Sequence, residues 1–88
     1  MPAFAVEFTP AAQRDLKRLD PGVRAQLLRA STVLGQYPFP SSSGRIKVLV
    51  GLDPRHFRLR VGDYRIVYQV EDKQVIVVRI AHRREAYR

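Results

Sequence analysis

Arginine residues are concentrated in the second half of the sequence, where they alternate with apolar residues. Arg58 and Arg60 stand between apolar neighbours, and Arg65 follows shortly after them. A period of two predicts β-strands in which the arginines share one face. The guanidinium group is a planar fork of donors that matches phosphate and carboxylate oxygens and keeps its charge at neutral pH. The chemistry open to these residues is therefore anion binding and the stabilisation of negative charge that develops during a reaction.

The dipeptide Gly62-Asp63 lies between two alternating runs and predicts a β-hairpin with a two-residue turn. This turn pairs Arg60 with Arg65 across the hairpin and puts Arg58 on the same face. Like charges that lie directly opposite each other destabilise a sheet by up to about 1 kcal/mol. The hairpin offers no carboxylate on this face, so we expect an anion to dock between the arginines. The alternative is a solvated face that carboxylates of neighbouring segments neutralise.

The last predicted strand joins this face only in one register. A three-residue loop at residues 72–74 sends Arg79, Ala81 and Arg83 to the arginines and puts alternate apolar residues on the core side, namely Ile76, Val78 and Ile80. A loop of two or four residues reverses the faces and buries Arg79 without a partner, which is costly. We therefore predict the three-residue loop, with Arg79 and Arg83 beside the other arginines.

Two more side chains near the end of the sequence could take part. Histidine is the side chain best suited to proton transfer near neutral pH, which makes His82 a candidate acid or base. Strand alternation points His82 away from the face of Arg83, and a polar surface residue is the alternative. Tyr87 could stack on an exposed base or anchor the C-terminal segment by packing.

The composition is strongly basic. The 88 residues include 16 Lys and Arg against 8 Asp and Glu, a formal net charge of +8, which points to a polyanionic partner, although such a charge can also serve solubility alone. The lack of cysteine and the separation of the two histidines exclude thiolate zinc sites and HExxH-type motifs, so we expect no metal and no cofactor. No stretch resembles a signal peptide or a membrane span, so we expect a cytoplasmic protein without a membrane partner.

The patterning predicts one domain over residues 1–88 with the order β-α-α-β-β-β, followed by an optional further strand. Thr9-Pro10 and Asp20-Pro21 each supply a helix N-cap followed by proline at the first helical position. The expected fold is of the α+β class, with a helical hairpin packed on one face of a mostly antiparallel sheet of four to five strands.

Three segments of the chain resemble the RelE/ParE superfamily of toxin–antitoxin toxins, and most closely its RelE branch. They are Phe8-Thr-Pro-Ala-Ala-Gln-Arg-Asp-Leu-Lys-Arg-Leu19, Phe57-Arg-Leu-Arg-Val-Gly-Asp-Tyr-Arg-Ile-Val-Tyr68 and His82-Arg-Arg-Glu-Ala-Tyr87. The resemblance implies a RelE-like fold and a small ribonuclease that cleaves messenger RNA in the ribosomal A site. It also implies a cognate antitoxin that wraps the toxin, and contact with operator DNA only through the toxin–antitoxin complex.

The resemblance matches five residues to family positions: Arg58, Arg60, Arg65, Arg83 and Tyr87. Arg60, Arg65, Arg83 and Tyr87 become candidate catalytic residues, and His82 is added to them for its ability to transfer protons near neutral pH. The candidate RNA-binding residues are Arg58 and Arg60, together with Arg79 from the predicted register of the last strand. The implied reaction is metal-independent attack of the substrate's 2′-OH on the adjacent phosphate, with arginines stabilising the transition state.

One departure from the family pattern bears on this mechanism, because family members often carry lysine where Arg58 and Arg60 stand. An arginine cannot act as the base. The competing interpretations are a ParE-like gyrase inhibitor without nuclease activity and a plain nucleic-acid-binding domain.

Overall fold

A computed structural model describes residues 3–51 and 55–85 of the chain, which form two helices and five strands. The elements are, in chain order, β1 (Ala5–Phe8), α1 (Pro10–Lys17), α2 (Pro21–Leu34), β2 (Ile46–Leu49), β3 (His56–Val61), β4 (Tyr64–Glu71) and β5 (Gln74–His82). The strands lie side by side in the order β1-β5-β4-β3-β2. Only the β1–β5 pair is parallel. The predicted α+β fold is confirmed.

The β3–β4 hairpin has the predicted register. Val61 pairs with Tyr64, Arg60 with Arg65, and the pairing continues to His56 and Gln69 at the far end of the hairpin. Gly62 takes up a φ of 57° in the turn, a conformation that glycine adopts without steric cost. The turn chemistry thus sets which side chains face the core.

The helices cover one face of the sheet, and the core lies between the two layers. Its buried apolar side chains come from both helices and from β3, β4 and β5, and include Leu16, Leu27, Leu34, Phe57, Leu59, Ile66, Tyr68, Val75, Val77 and Ile80. Tyr68 is fully buried, and its hydroxyl donates to the backbone oxygen of Pro38 at 2.7 Å, which ties the loop after α2 to the sheet. No helix in the described part of the chain is long and apolar enough to span a membrane.

Local capping explains where the helices begin and end. Thr9 caps α1 by accepting a hydrogen bond from the Ala12 N–H at 3.1 Å. The Arg24 guanidinium donates to the backbone oxygens of Leu16 and Leu19. It thereby adds to the Leu19 N–H as a donor to the Leu16 oxygen and supplies a donor to the Leu19 oxygen beyond the end of α1. Asp20 occupies the N-cap position of α2 but makes no capping bond with its side chain, so that part of the prediction is wrong.

The predicted loop before β5 is also wrong. The turn has two residues, Asp72 and Lys73, because Glu71 already pairs with Gln74. Val75 and Val77 therefore face the core in place of Ile76 and Val78. A β-bulge then restores the predicted faces, because Tyr68 pairs with Val77 while Val67 pairs with Arg79 and Ile66 with Ile80. From Ile80 onward the strand has the predicted orientation.

Candidate functional site

The face of the sheet opposite the helices carries a group of arginines, which we call the arginine face: Arg58, Arg60, Arg65 and Arg83. Arg60 lies directly opposite Arg65, as predicted. Ala81 is the next residue across the sheet, opposite Arg65, and Arg83 follows one alternation later. Two strands, β3 and β4, and the turn after β5 thus bring these guanidiniums to one end of the sheet.

Backbone oxygens at the hairpin turn reduce the electrostatic repulsion between Arg60 and Arg65. The Arg65 Nη1 donates to the oxygen of Gly62 at 3.1 Å and to that of Tyr64 at 2.9 Å. These carbonyl dipoles at the hairpin turn partly offset the positive charge in the place where the sequence offers no carboxylate. Arg60 itself is exposed.

Arg83 is held against the same turn. Its backbone N–H donates to the Asp63 oxygen at 2.7 Å, and its Nε lies 3.8 Å from the Asp63 carboxylate. Both side chains of this ion pair are more than half exposed. Such a pair contributes little to stability, so the guanidinium can exchange Asp63 for another anion at low cost.

Arg58 is the least ordinary member of the arginine face. It is only 9% exposed, between Lys47 of β2 and Val67 of β4, and its Nε is a buried donor without a hydrogen-bond partner. A buried donor without an acceptor costs free energy. An anion bound at the surface would offset the charge of this guanidinium, but it would reach the buried Nε only if neighbouring side chains moved.

The sequence interpretation missed two cations of the same face. Lys47 lies directly opposite Arg58, and the backbone oxygen of Arg45 accepts a hydrogen bond from the Arg60 N–H at 2.9 Å. The signal was present in the alternation of basic and apolar residues from Arg45 to Val48. It could not be used because residues 50–55 between β2 and β3 carry no tight-turn pattern, which leaves the pairing of the two strands open.

Arg79 does not contribute a free guanidinium, contrary to the prediction. Its Nε donates to Asp15 Oδ2 at 2.8 Å and its Nη2 to Asp15 Oδ1 at 3.2 Å. This carboxylate belongs to α1 and raises the pKa of the Arg79 guanidinium further above its ordinary range. The reason is that β1 ends beside Val77, which leaves the next part of β5 as an edge that α1 can reach. Arg79 is thus engaged by a carboxylate of α1, although its side chain is 59% exposed, and its role in RNA binding stays a prediction.

His82 lies on the helix side of the sheet, as strand alternation indicated. It pairs with Tyr64, with ring centroids 5.5 Å apart and the planes nearly perpendicular. Its Nδ1 accepts a hydrogen bond from the Arg84 N–H at 3.3 Å. The sheet therefore separates the imidazole from the arginine face, and the interpretation of His82 as an acid or base there lacks a geometric basis.

The remaining predicted residue, Tyr87, lies outside the described residues. Within residues 3–51 and 55–85, no group of three or more His, Asp or Glu side chains could hold a metal ion. A groove of about 550 Å³ adjoins the arginine face between α2 and the β2–β3 pair. Arg60 and Arg45 line one side, and the exposed side chains of Val33 and Tyr37 line the other.

Comparison with known proteins gives concordant matches over nearly the whole chain. Residues 6–87 match the family described as the ParE toxin of type II toxin–antitoxin system, parDE. Toxin RelG of Mycobacterium tuberculosis is 32% identical over 88 residues, which cover 97% of this chain and 97% of that protein.

Solved structures show the same fold. The toxin–antitoxin complex RelBE2 from Mycobacterium tuberculosis contains a chain with 29% identity and a TM-score of 0.77, covering 93% of this chain and 99% of that one. The intact E. coli RelBE toxin–antitoxin complex matches with 29% identity and a TM-score of 0.68, covering 91% of this chain and 96% of that one.

Proposed function

Because the chain belongs to the RelE/ParE superfamily of toxins from type II toxin–antitoxin systems, we propose that it is an endoribonuclease that cleaves messenger RNA without a metal ion. The observation that carries this proposal is the arginine face itself. It joins a buried guanidinium with a free Nε donor, Arg58, to three exposed or half-exposed guanidiniums around the hairpin turn. A surface built in this way binds phosphate, and RNA is the phosphate polymer that can supply its own nucleophile.

The proposed reaction is attack of a substrate 2′-OH on the adjacent phosphate. The enzyme aligns this oxygen with the departing 5′-oxygen and stabilises the extra negative charge of the transition state. Arg65 and Arg83 at the hairpin turn act as the clamp on the scissile phosphate. Arg58 and Arg60, on the neighbouring strand, bind the flanking phosphates, and Tyr87 stacks on a base.

None of the four guanidiniums of the arginine face can accept a proton. In the proposed mechanism these arginines therefore contribute alignment and charge stabilisation. Solvent water takes the proton of the 2′-OH as this oxygen bonds to phosphorus, and water protonates the 5′-oxygen as its bond to phosphorus breaks. The acid or base role predicted for His82 is not part of this mechanism. Catalysis of this kind depends on the position of each cation, since a misplacement of 1 Å can cost about 100-fold in rate.

The proposal includes a cognate antitoxin as the partner in the resting cell. The two solved structures named above are RelBE toxin–antitoxin complexes. An antitoxin segment that carries carboxylates would neutralise the arginine face, and apolar side chains next to them would cover Val33 and Tyr37 in the adjoining groove. In this scheme the toxin acts in the cytoplasm on messenger RNA in the ribosomal A site, and it reaches operator DNA only through the antitoxin complex.

The deciding experiment is cleavage of messenger RNA by purified toxin, with and without programmed ribosomes, followed by analysis of the new ends. We expect 2′,3′-cyclic phosphate and 5′-hydroxyl ends in both settings and, because ribosomes themselves need Mg²⁺, we test EDTA on ribosome-free RNA only, where cleavage should be unchanged. Arg65→Gln should abolish the products, while Arg14→Gln, on the exposed side of α1, serves as the matched control. Ends with 5′-phosphates, or a requirement for Mg²⁺ in the cleavage of ribosome-free RNA, would contradict the mechanism. Inhibition of DNA gyrase without any RNA cleavage would instead establish the ParE-like alternative.

A further inference from the structure

We propose that Asp15 and Thr9 of the α1 region are positioning residues, which hold the β-bulge at Val78 and thereby place Arg83 on the arginine face. The catalytic consequence of this inference rests on the proposed function, but its structural content does not. Neither residue is part of the arginine face, and both act through the backbone of β5.

The bulge is visible in the burial of β5. Val77 and Ile80 both lie in the core, with 0% and 4% of their surface exposed, although they are three residues apart. In a regular strand, residues an odd number apart face opposite sides of the sheet. One extra residue, Val78, resolves the conflict, because Tyr68 pairs with Val77 and the next residue of β4, Val67, pairs with Arg79.

The bulge decides the orientation of everything that follows it. Without it, the two-residue turn at residues 72–73 would keep odd-numbered residues of β5 on the core side up to the end of the strand. Arg83 would then point to the helices, and His82 would point to the arginine face. With the bulge, His82 packs on Tyr64 and Arg83 reaches the hairpin turn. The bulge is therefore a condition for the clamp formed by Arg65 and Arg83.

A bulge leaves backbone groups without their ladder partners, and α1 supplies those partners. The Thr9 hydroxyl donates to the Val78 oxygen at 2.9 Å. The Asp15 Oδ2 accepts a hydrogen bond from the Ile80 N–H at 2.8 Å. No strand can do so here, because the pairing of β1 with β5 ends at Phe8 and Val77. The two side chains, at the start and within α1, thus bond the backbone at the bulge and two residues after it.

The surroundings of Asp15 show that this contact is specific. Its carboxylate is 9% exposed and accepts three hydrogen bonds, all of them from the two residues that follow the bulge. A charged acceptor binds a backbone N–H more strongly than a neutral one does. Arg79 donates the other two hydrogen bonds to the Asp15 carboxylate, so Arg79 also helps to hold the bulge.

Substitutions of Thr9 can separate its hydrogen bond to the bulge from its role as the N-cap of α1. Thr9→Asp keeps an N-cap acceptor for the Ala12 N–H but has no donor for the Val78 oxygen, whereas Thr9→Ser keeps both functions. Asp15→Asn removes the charge that faces Arg79. Thr32→Val and Asp20→Asn are matched controls, because Thr32 bonds only within α2 and the Asp20 side chain makes no capping bond.

The readouts are the NMR contact between the Tyr64 and His82 rings and the kinetics of RNA cleavage. We expect Thr9→Asp and Asp15→Asn to lose the ring contact and to lower kcat by about 100-fold, as for a misplaced catalytic group, with a smaller change in KM. Thr9→Ser and the two controls should retain both the contact and the rate.

Deletion of Val78 gives the sharpest test, because it removes the bulge and keeps the faces. Val77 would be followed directly by Arg79, so regular alternation would leave Ile80 and His82 on the core side and Arg83 on the arginine face. The β1–β5 pairing, which ends at Val77, would be untouched. The deletion should therefore restore the ring contact and kcat in the Thr9→Asp and Asp15→Asn backgrounds.

The outcomes discriminate. A folded Thr9→Asp protein that retains the ring contact, or a folded deletion variant in which the contact is lost, overturns the inference. If the point variants do not fold, the deletion decides in their backgrounds: recovery of folding and of the Tyr64–His82 contact supports the inference, and failure to recover them overturns it. If the native protein cleaves no RNA, the proposed function fails, and the ring contact still tests the role of Asp15 and Thr9.

Discussion

At the scale of single residues, the burial of Arg58 sets stability against function. Its guanidinium is 9% exposed with an unpartnered Nε, on a strand flanked by Lys47. Such an arrangement is unfavourable in the free protein, and in the proposed function an RNA phosphate offsets the charge of this guanidinium. A binding site that is completed by its ligand has this property.

The first prediction concerns Arg58→Leu in the free toxin. Replacing an unsatisfied buried polar group by an apolar one should raise the free energy of unfolding by about 1–3 kcal/mol. RNA binding should weaken at the same time, because a phosphate ligand is lost. Urea denaturation and RNA titration measure the two effects. Loss of stability in the variant would show that the guanidinium is paired in solution.

The second prediction concerns Arg65→Gln. The side chain loses two hydrogen bonds to turn carbonyls but is relieved of the charge of Arg60, so the two effects oppose each other. We expect the stability of the free toxin to change by less than about 1 kcal/mol, while cleavage is abolished. Thermal denaturation and the cleavage assay test this. An unfolded variant would indicate that Arg65 has a structural role at the turn.

The third prediction concerns His82→Gln. Because the imidazole lies on the helix side against Tyr64, the variant should cleave RNA with the pH–rate profile of the native protein. A flattened limb of the profile in the variant would return His82 to the mechanism. His56→Gln, on the same sheet but in β3, is a suitable second histidine variant for comparison.

At the scale of elements, Tyr68 joins β4 to the loop that follows α2. Its ring stacks on Phe57 with centroids 5.5 Å apart, and its hydroxyl bonds the Pro38 oxygen. Burial disfavours the phenolate and raises the pKa of Tyr68 well above the ordinary tyrosine value. The ionisation of the Tyr68 hydroxyl is therefore coupled to the packing of the sheet.

The fourth prediction follows from the sign of this shift. The pKa of Tyr68 is higher in the folded protein than in the unfolded protein. The contribution of the neutral phenol to the free energy of unfolding is therefore fully present below about pH 10, the ordinary tyrosine pKa, and it declines as the pH rises further. The decline should approach about 1.4 kcal/mol per pH unit. Tyr68→Phe should remove it and lower stability at neutral pH by about 1 kcal/mol through the lost hydrogen bond. Tyr37→Phe, whose ring is exposed, should keep the decline.

At the scale of the whole molecule, the net charge of +8 is distributed over both layers. The helices expose Arg14 and Arg29, and the opposite side of the sheet carries the arginine face. Substitutions on the helices should therefore affect only the general attraction to RNA, whereas substitutions on the arginine face should also affect the specific phosphate site. Salt dependence distinguishes the two, because each phosphate contact releases counterions.

The fifth prediction concerns that salt dependence. A plot of log affinity against log salt concentration has a negative slope. For single-stranded RNA, each lost phosphate contact reduces the magnitude of this slope by about 0.7. Arg60→Gln should reduce the magnitude by this amount, whereas Arg29→Gln should leave it near the native value. Titrations over a range of salt concentrations measure both slopes. Equal effects of the two variants would mean that RNA binds the molecule by net charge alone.

Much of the site could be predicted from neighbouring residues. The Gly62-Asp63 turn determined the pairing of Arg60 with Arg65, and alternation placed Arg58 on the same face and His82 on the other. The helix starts at Pro10 and Pro21 were also readable. In each case the deciding interactions join residues that are close in sequence, so the local pattern contains the necessary information.

The tertiary structure alone decided the course of β5 and the environment of Arg58. The bulge at Val78 depends on Thr9 and Asp15, and the hydrogen bonds that hold it join residues 69 and 65 positions apart. Arg58 is buried where β2 brings Lys47 alongside it, and no tight-turn pattern predicts the pairing of these two strands. The two-residue turn by itself predicted a buried Arg79, and only the packing of α1 against an uncovered strand edge shows how the chain avoids that cost. Contacts between distant segments are formed when the layers pack, and a pattern of adjacent residues does not encode them.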